Sequence, residues 1–464
     1  MIPDHFKKYI DKHGFPGYTE LRAQTNTSRT ATLLNGDLIT NSQSSSIGVS
    51  ARVVKNGSYG FASSTDYDES EESIARVIET AARNADFLNS RVKLGREDFP
   101  KVEPLHNENG LEEDLPVSAK QMIEFGSDLD AYILERYPDL ISRRVRVMLD
   151  SSEKLLYTSD GVSSHSFTPR SLMSVSLTAK GDDGTPVDVW ESYGGYGNFN
   201  HTLTDPKDYF DEVDNLYELL KMKAKGVWVE AGEHEVIIDS EICGLLAHEA
   251  VGHTVEADLV SMGSVAGPNF NKRVASDLVT LVDFAHHYDG KLCPVPVFVD
   301  DEGVPAKDVV LIDKGFLRAY MHNKESAVKY GHEALGNARA NEFFDEPLIR
   351  MRNTCILPGE SKLSDMINSI DNGYYLMKSG NGQADSTGEF MFGITAGYVI
   401  RGGKLAEGIK DTTISGLAFE TLKTVSMVGD EIGWSKGGWC GKKQLITVGM
   451  GGPAIKAVMN LGGR

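Results

Sequence analysis

At 464 residues the chain is too long for one ordinary core, and its globular composition implies two or three domains, each able to bury its own interior. Its 67 acidic and 47 basic residues leave a formal charge of −20, which argues against direct contact with DNA, RNA or anionic membranes. Four scattered cysteines (Cys243, Cys293, Cys355, Cys440) with no C-x-x-C pair argue against a disulfide framework or a zinc ribbon.

The opening MIPDHFKKYIDKHG is short and amphipathic, without the apolar core of a signal peptide, and no 18-residue apolar run follows it. A cytoplasmic protein with no membrane span is expected. From Tyr18 to Ser64 the chain reads as an antiparallel meander, because Asn35-Gly36 and Asn56-Gly57 are dipeptides that readily adopt positive φ. Asp68 with Glu71 reads as a capping box, and Ile74, Val77, Ile78, Ala81, Ala85 and Leu88 then recur at helical spacing. A second helix is signalled by Ser118 with Gln121 and by Met122, Phe125, Leu129 and Ile133, ending before Pro138. Strands resume from Ile141 to about Ser192, where the run Arg143-Arg144-Val145-Arg146 alternates like an exposed strand face. A third helix spans about Pro206 to Lys225, with the proline in its first turn. Two successive blocks of strands closed by a helix hint at an internal duplication.

The boundary is placed near Gly226–Gly232, giving an N-terminal α+β domain (1–228) and a C-terminal strand-rich domain (229–464). The latter opens with a strand from Glu235 to Asp239, followed by Ser240 as helix N-cap. Further strands are expected at Pro296–Asp300, around the Asp313-Lys314-Gly315 turn, at Phe390–Ile400 and at Leu445–Val448. Short helices are expected at about Asn323–Tyr330 and Ser361–Ser369. The fold class is therefore α+β, with antiparallel sheets and helices first and an antiparallel, barrel-like sheet second. The glycine-rich Gly449-Met450-Gly451-Gly452-Pro453 lacks the Lys-Ser/Thr of a phosphate loop and reads as turns.

One stretch carries chemistry. Ala247-His248-Glu249-Ala250-Val251-Gly252-His253 resembles the zinc helix H-E-x-x-H with one residue added. On a straight α-helix residues five apart diverge by about 140°, too far for two imidazoles to meet one ion. A π-bulge, centred most readily at Val251-Gly252, would bring His248 and His253 together and leave Glu249 free as general base. The straight-helix alternative puts Glu249, His253 and Glu256 on one face and turns His248 away. A third ligand is needed, and Cys440, in the glycine-rich Gly437–Lys442 loop, Glu256 and Asp258 are the candidates. His286 and His287 read as solvent-facing, and His332-Glu333 as a loop pair.

The chain as a whole resembles the TldD/PmbA family of metallopeptidases, also labelled modulators of DNA gyrase. The resemblance is carried by IGVSARVVKNGSYGFAS (47–63), HEAVGHTVEADL (248–259), VDDEGVPAKDVVLIDKGFLRAYMHNK (299–324) and GNARA (336–340). RMRNTCILPGE (350–360), GQADSTGEFMFGITAGYVIRGGKL (382–405), KTVSMVGDEI (423–432) and WCGK (439–442) continue it. It implies a two-domain α+β protein whose zinc ligands are His248, His253 and Cys440, with Glu249 as catalytic base. It further implies a dimer, either a homodimer or a heterodimer with a PmbA (TldE)-type subunit, admitting only small or unfolded peptides in extended conformation. Arg339, in GNARA, is a candidate substrate contact, its alternative being a surface salt bridge. The stretch after Cys440 is slightly shorter than the family pattern and lacks its proline. A non-catalytic or partner-dependent subunit is the competing reading.

Overall fold

Two Asn-Gly turns organise the first sheet, which the computed structural model shows within the described residues 9, 12, 14–65, 70–91, 99–110 and 117–463. Strand β1 (Tyr18–Leu34) pairs with β2 (Asp37–Lys55), and β3 (Ser58–Ser64) returns along β2. The four turn residues have φ between 52° and 88°, the left-handed geometry that two-residue hairpins require. After α1 (Glu71–Arg91), β4 (Leu105–Asn109) and α2 (Ala119–Arg136), the chain forms β5 (Ser142–Thr158), β6 (Val162–Lys180) and β7 (Pro186–Tyr196). The sheet order is β3-β2-β1-β5-β6, with β4 and β7 sharing the outer edge of β6. The strands-then-helix block appears twice, closed the second time by α3 (Phe210–Ala224).

The helices bury the faces their periodicity marks: Ile74, Val77, Ile78, Ala81 and Ala85 on α1, Met122, Phe125, Leu129 and Ile133 on α2. Ser118 and Gln121 form the expected capping box. The box read at Asp68, like most of the N-terminal amphipathic stretch, lies outside the described residues; at the observed start of α1 the Ser70 hydroxyl accepts the Ser73 N–H. Arg143 departs from the exposed face expected of it. It points inward and places Nε 2.9 Å from Asp130 of α2, while Arg144 and Arg146 stay exposed.

The second half is built on a closed five-stranded barrel. Its strands are β8 (Gly232–Ile238), β12 (Asn372–Ala384), β13 (Glu389–Arg401), β14 (Thr412–Leu417) and β18 (Ile455–Gly462), in the ring β12-β8-β18-β14-β13. Only the β8–β12 pair is parallel. Beside the barrel lies a second sheet containing β9 (Leu281–Phe284), β10 (Val309–Asp313), β11 (Asn353–Ile356) and β17 (Gly449–Gly452). Helices form as expected at Lys324–Tyr330 and Leu363–Asn368. Two expectations fail here. Pro296–Asp300 makes no strand beyond one bridge from Val299 to Pro305, because Asp300 bends the chain by accepting the N–H groups of Glu302 and Val304. Gly449–Gly452 is a strand and not a set of turns: a Cβ at Gly449 would stand 2.3 Å from Asn353 Oδ1, and one at Gly451 2.5 Å from the Trp434 ring, so glycine is what lets β17 fit.

Buried charges fix the two halves to each other and stiffen the second. Arg52 of β2 bridges Glu20 of β1 and Glu302, and Lys154 of β5 bonds Asp301 at 2.8 Å and the Ala340 carbonyl at 2.7 Å. Within the second sheet Asp283 and Arg352 are both fully buried, their Nε–Oδ2 distance being 2.8 Å. Asp283 also accepts the Arg352 and Asn353 N–H groups and the Asn337 amide. Asp283→Ala should therefore strand a buried guanidinium and cost about 3–5 kcal/mol in urea unfolding; a loss below about 1 kcal/mol, the range of an exposed pair, would refute the assigned role.

Candidate metal centre

From Ile242 to Gly252 every residue but the half-buried Glu249 is buried, and this forces the polar groups of the segment to find partners. Asp239, not Ser240, caps the helix: its Oδ1 accepts the Ile242 N–H at 2.9 Å, leaving Ser240 as the first helical residue. Helix α4 (Ser240–Leu245) buries Ile242, Cys243, Gly244 and Leu245 between the barrel and the second sheet. From Leu246 to Gly252 the backbone widens into a π turn, in which the His253 N–H donates to the His248 carbonyl five residues back. That closure returns residues five apart to one face. The two imidazole centres lie 5.3 Å apart. The widening begins earlier than Val251-Gly252, and Gly252 keeps ordinary right-handed angles (φ −53°, ψ −48°). Its lack of a side chain serves packing instead: a Cβ there would sit 2.0 Å from the Met351 sulfur.

Cys440 arrives on a two-stranded hairpin, β15 (Trp439–Lys442) and β16 (Gln444–Thr447), turned at Lys443 with φ 57°. The glycine-rich sequence reads as a loop, but the backbone forms a hairpin held by buried arginines. Arg350 donates to the carbonyls of Cys440 (2.7 Å) and Gln444 (3.1 Å). Arg339 donates to those of Met351 (2.6 Å) and Thr447 (2.9 Å). Arg339 is thus no surface salt bridge; it is a buried brace behind the hairpin that also lines an inter-sheet cavity of about 120 Å³.

These elements bring one donor atom each from His248, His253 and Cys440 to within 4.8 Å of one another, a single such group among the described residues. His253 Nε2 stands 3.3 Å from Cys440 Sγ and 3.7 Å from Glu249 Oε2. Its other nitrogen, Nδ1, is 2.8 Å from Glu256 Oε2, which fixes the ring and frees Nε2 for the site. Glu256 is fully buried and is held in turn by Lys442 at 3.3 Å; Lys442 also binds Asp258 at 2.9 Å and the Ile349 carbonyl at 3.1 Å. Of the acidic candidates for third ligand, Glu256 therefore serves as partner to His253 and Asp258 as partner to Lys442. His248 is completely buried; Thr354 Oγ1 lies 3.4 Å from its Nδ1, and its Nε2 has no partner among the described residues. A buried imidazole nitrogen left unpaired, beside a second imidazole and a thiol, fits a borderline-soft divalent ion with nitrogen and sulfur ligands.

The electrostatics agree. Burial, with the neighbouring His253, Arg350 and Arg339, pushes His248 well below the usual imidazole range, so it is a neutral donor. Burial also lowers the basicity of His253, but Glu256 and Cys440 outweigh it and push the ring up to about 10. A proton and a cation compete for the same Nε2. Burial raises the Glu249 carboxyl, with His253 opposing and Glu256 adding to the shift.

Among the other histidines, His286 is half-buried and stacks on Phe298 at 4.7 Å, whereas His287 is exposed as read; His332 and Glu333 are exposed in a loop. All four cysteines are free and buried. Sequence reasoning missed Lys442 and Thr354. Lys442 had a signal, since it alternates with Cys440 on one strand and so shares its face. Thr354 had none, being brought in by β11 from a hundred residues away.

Family models for the PmbA/TldA metallopeptidase match three segments: domain 1 over residues 19–85, the central domain over 112–225 and the C-terminal domain over 231–463. A zinc metalloprotease TldD homolog of Saccharolobus solfataricus is 30% identical over 418 residues, 88% of each chain. A metalloprotease of Methanothermobacter thermautotrophicus is 29% identical over 446 residues, 95% of this chain and 94% of its own. Among solved structures, TldE from Thermococcus kodakarensis is similar with a TM-score of 0.74 at 18% identity, over 98% of this chain and 100% of its own, a likeness of fold.

Because the Met351 sulfur occupies the space beside Gly252, Gly252→Ala should lower stability by about 1–3 kcal/mol through overpacking. Met351→Ala in the same chain should recover part of that loss. Thermal unfolding of the two variants checks this, and an unaltered melting temperature for Gly252→Ala would contradict the packing.

Proposed function

The chain belongs to the TldD/PmbA family of metallopeptidases, and from that premise we propose that it hydrolyses peptide bonds using zinc held by His248, His253 and Cys440. The observation that carries this reading is the convergence of two imidazoles and a thiol beside a carboxylate that holds no ligand position. Zinc in such a site supplies Lewis acidity to the scissile carbonyl and acidifies the attacking water. Glu249 takes the water proton and passes it to the departing amine, a role that suits a carboxyl raised by burial. Glu256 holds His253 by Nδ1, which would leave Nε2 available to hold zinc, and Lys442 balances the buried charge of Glu256. Arg350 and Arg339 keep the hairpin carbonyls fixed, and with them the Cys440 sulfur.

The substrates are small or unfolded peptides. In extended form they can add along a sheet edge, where main-chain hydrogen bonds give affinity with little sequence preference. The working unit is a homodimer or a pair with a TldE-type subunit, a reading supported by the fold shared with Thermococcus TldE. Among the described residues no helix is long and apolar enough to cross a membrane.

Glu249→Gln should keep zinc while the cleavage rate of an unstructured peptide falls about 10²–10⁴-fold; undiminished cleavage would remove Glu249 as the base. Glu256→Gln should weaken zinc binding about 10–100-fold in a chelator competition, with circular dichroism unchanged. Equal zinc affinity in that variant would mean that the His253–Glu256 contact does not tune the site.

A further inference from the structure

Where the first sheet faces the Cys440 hairpin, a cleft of about 350 Å³ opens between β1, β2, β5 and β6 on one side and Glu342, Trp439 and Thr447 on the other. The charged side chains that line it are Asp150, Arg170 and Glu342. Each carries a buried polar atom without a hydrogen-bond partner among the described residues: Asp150 Oδ2, Arg170 Nη1 and Glu342 Oε2. Arg170 is only 5% exposed, and its guanidinium carbon lies 5.4 Å from the centre of the Trp439 ring. Asp150 faces Arg170 across the β5–β6 register, a position that still leaves both atoms unpaired. The remaining wall is largely hydroxyl and amide, including Ser44, Ser45 and Asn26.

Unsatisfied buried polar groups are costly, and three of them around one cleft mark a place where a ligand would recover hydrogen bonds. The charge count selects the ligand. Two carboxylates against one guanidinium leave an excess negative charge, which disfavours an anion and favours a cation carrying a nearby carbonyl oxygen. The amino end of a peptide has that pattern: an ammonium with three donors, followed within one residue by a carbonyl. We propose that the cleft binds the free α-ammonium group of peptide substrates, Asp150 and Glu342 accepting from it and Arg170 donating to the first carbonyl. Successive residues on a strand point to opposite faces, so Trp439 borders this cleft while Cys440 serves the metal centre on the other side of the same hairpin. The enzyme would thus hold the substrate by its N-terminus and cut farther along. The inference rests on the peptidase reading above.

The test compares an unstructured hexapeptide with a free amino end against the same peptide N-acetylated, on the full zinc-loaded protein. Charge-assisted hydrogen bonds of ordinary strength predict a KM at least about tenfold higher for the acetylated peptide, with a smaller change in kcat. In Asp150→Asn/Glu342→Gln the two peptides should become equivalent, in a variant whose zinc content and circular dichroism match the parent. Equal KM values in the parent, or discrimination that survives in the folded double variant, would overturn the site. Binding of both peptides to Glu249→Gln protein, followed by tryptophan fluorescence, needs neither cleavage nor the double variant. Selective binding of the free peptide without cleavage by the parent would sustain the cleft and defeat the peptidase reading. Cleavage without selective binding would do the reverse.

Discussion

One backbone hydrogen bond, from the His253 N–H to the His248 carbonyl, sets the geometry on which the site depends. An α-helical bond would reach one residue less far and leave the two imidazoles diverging. With the wider closure both rings turn to one side, 5.3 Å apart, and Glu249 stands beside them without being drawn into the ligand set. The extra residue in the motif is thus a requirement of the π turn. Its seven residues include Leu246, Ala247, Ala250 and Val251, all fully buried, so packing holds a backbone form that is rare on its own.

The third donor comes from 187 residues away, and its placement rests on buried charge. The hairpin that carries Cys440 is short and, among the described residues, pairs only within itself, a structure that is marginal when isolated. Arg350 and Arg339 convert it into a fixed element by donating to its carbonyls. Next to them, the Asp283–Arg352 pair ties β9 to β11, the strand that presents Thr354 to His248. Burying such groups is costly, and each makes several bonds at once, although Arg350 Nε has no partner among the described residues.

Much of the fold was legible in sequence because the signals are local. Asn35-Gly36 and Asn56-Gly57 mark hairpins through their φ preference, and the apolar spacing of α1 and α2 names the residues they bury. Spacing makes the π turn one of two readings, beside a straight helix with Glu249, His253 and Glu256 on one face, and the His253 N–H bond to the His248 carbonyl decides for the first. What spacing could not supply was tertiary. Asp300 reads as the end of a strand until its carboxylate is seen to fold the chain back. Gly449–Gly452 reads as turns until neighbours from Asn353 and Trp434 crowd it. Arg143 looks like a surface charge until Asp130 claims it, and the surface-salt-bridge alternative for Arg339 gives way to bonds with two distant carbonyls. Glu256 read as a possible ligand because sequence fixes its side of the helix but not that it meets the outer nitrogen of His253.

X-ray absorption at the zinc edge of the zinc-loaded protein bears most directly on the claim that the π turn closes one ligand set. The account predicts two nitrogen scatterers at about 2.0–2.1 Å with imidazole multiple scattering and one sulfur at about 2.3 Å. A shell lacking sulfur, or holding one imidazole with carboxylate oxygens in place of the second, would contradict it.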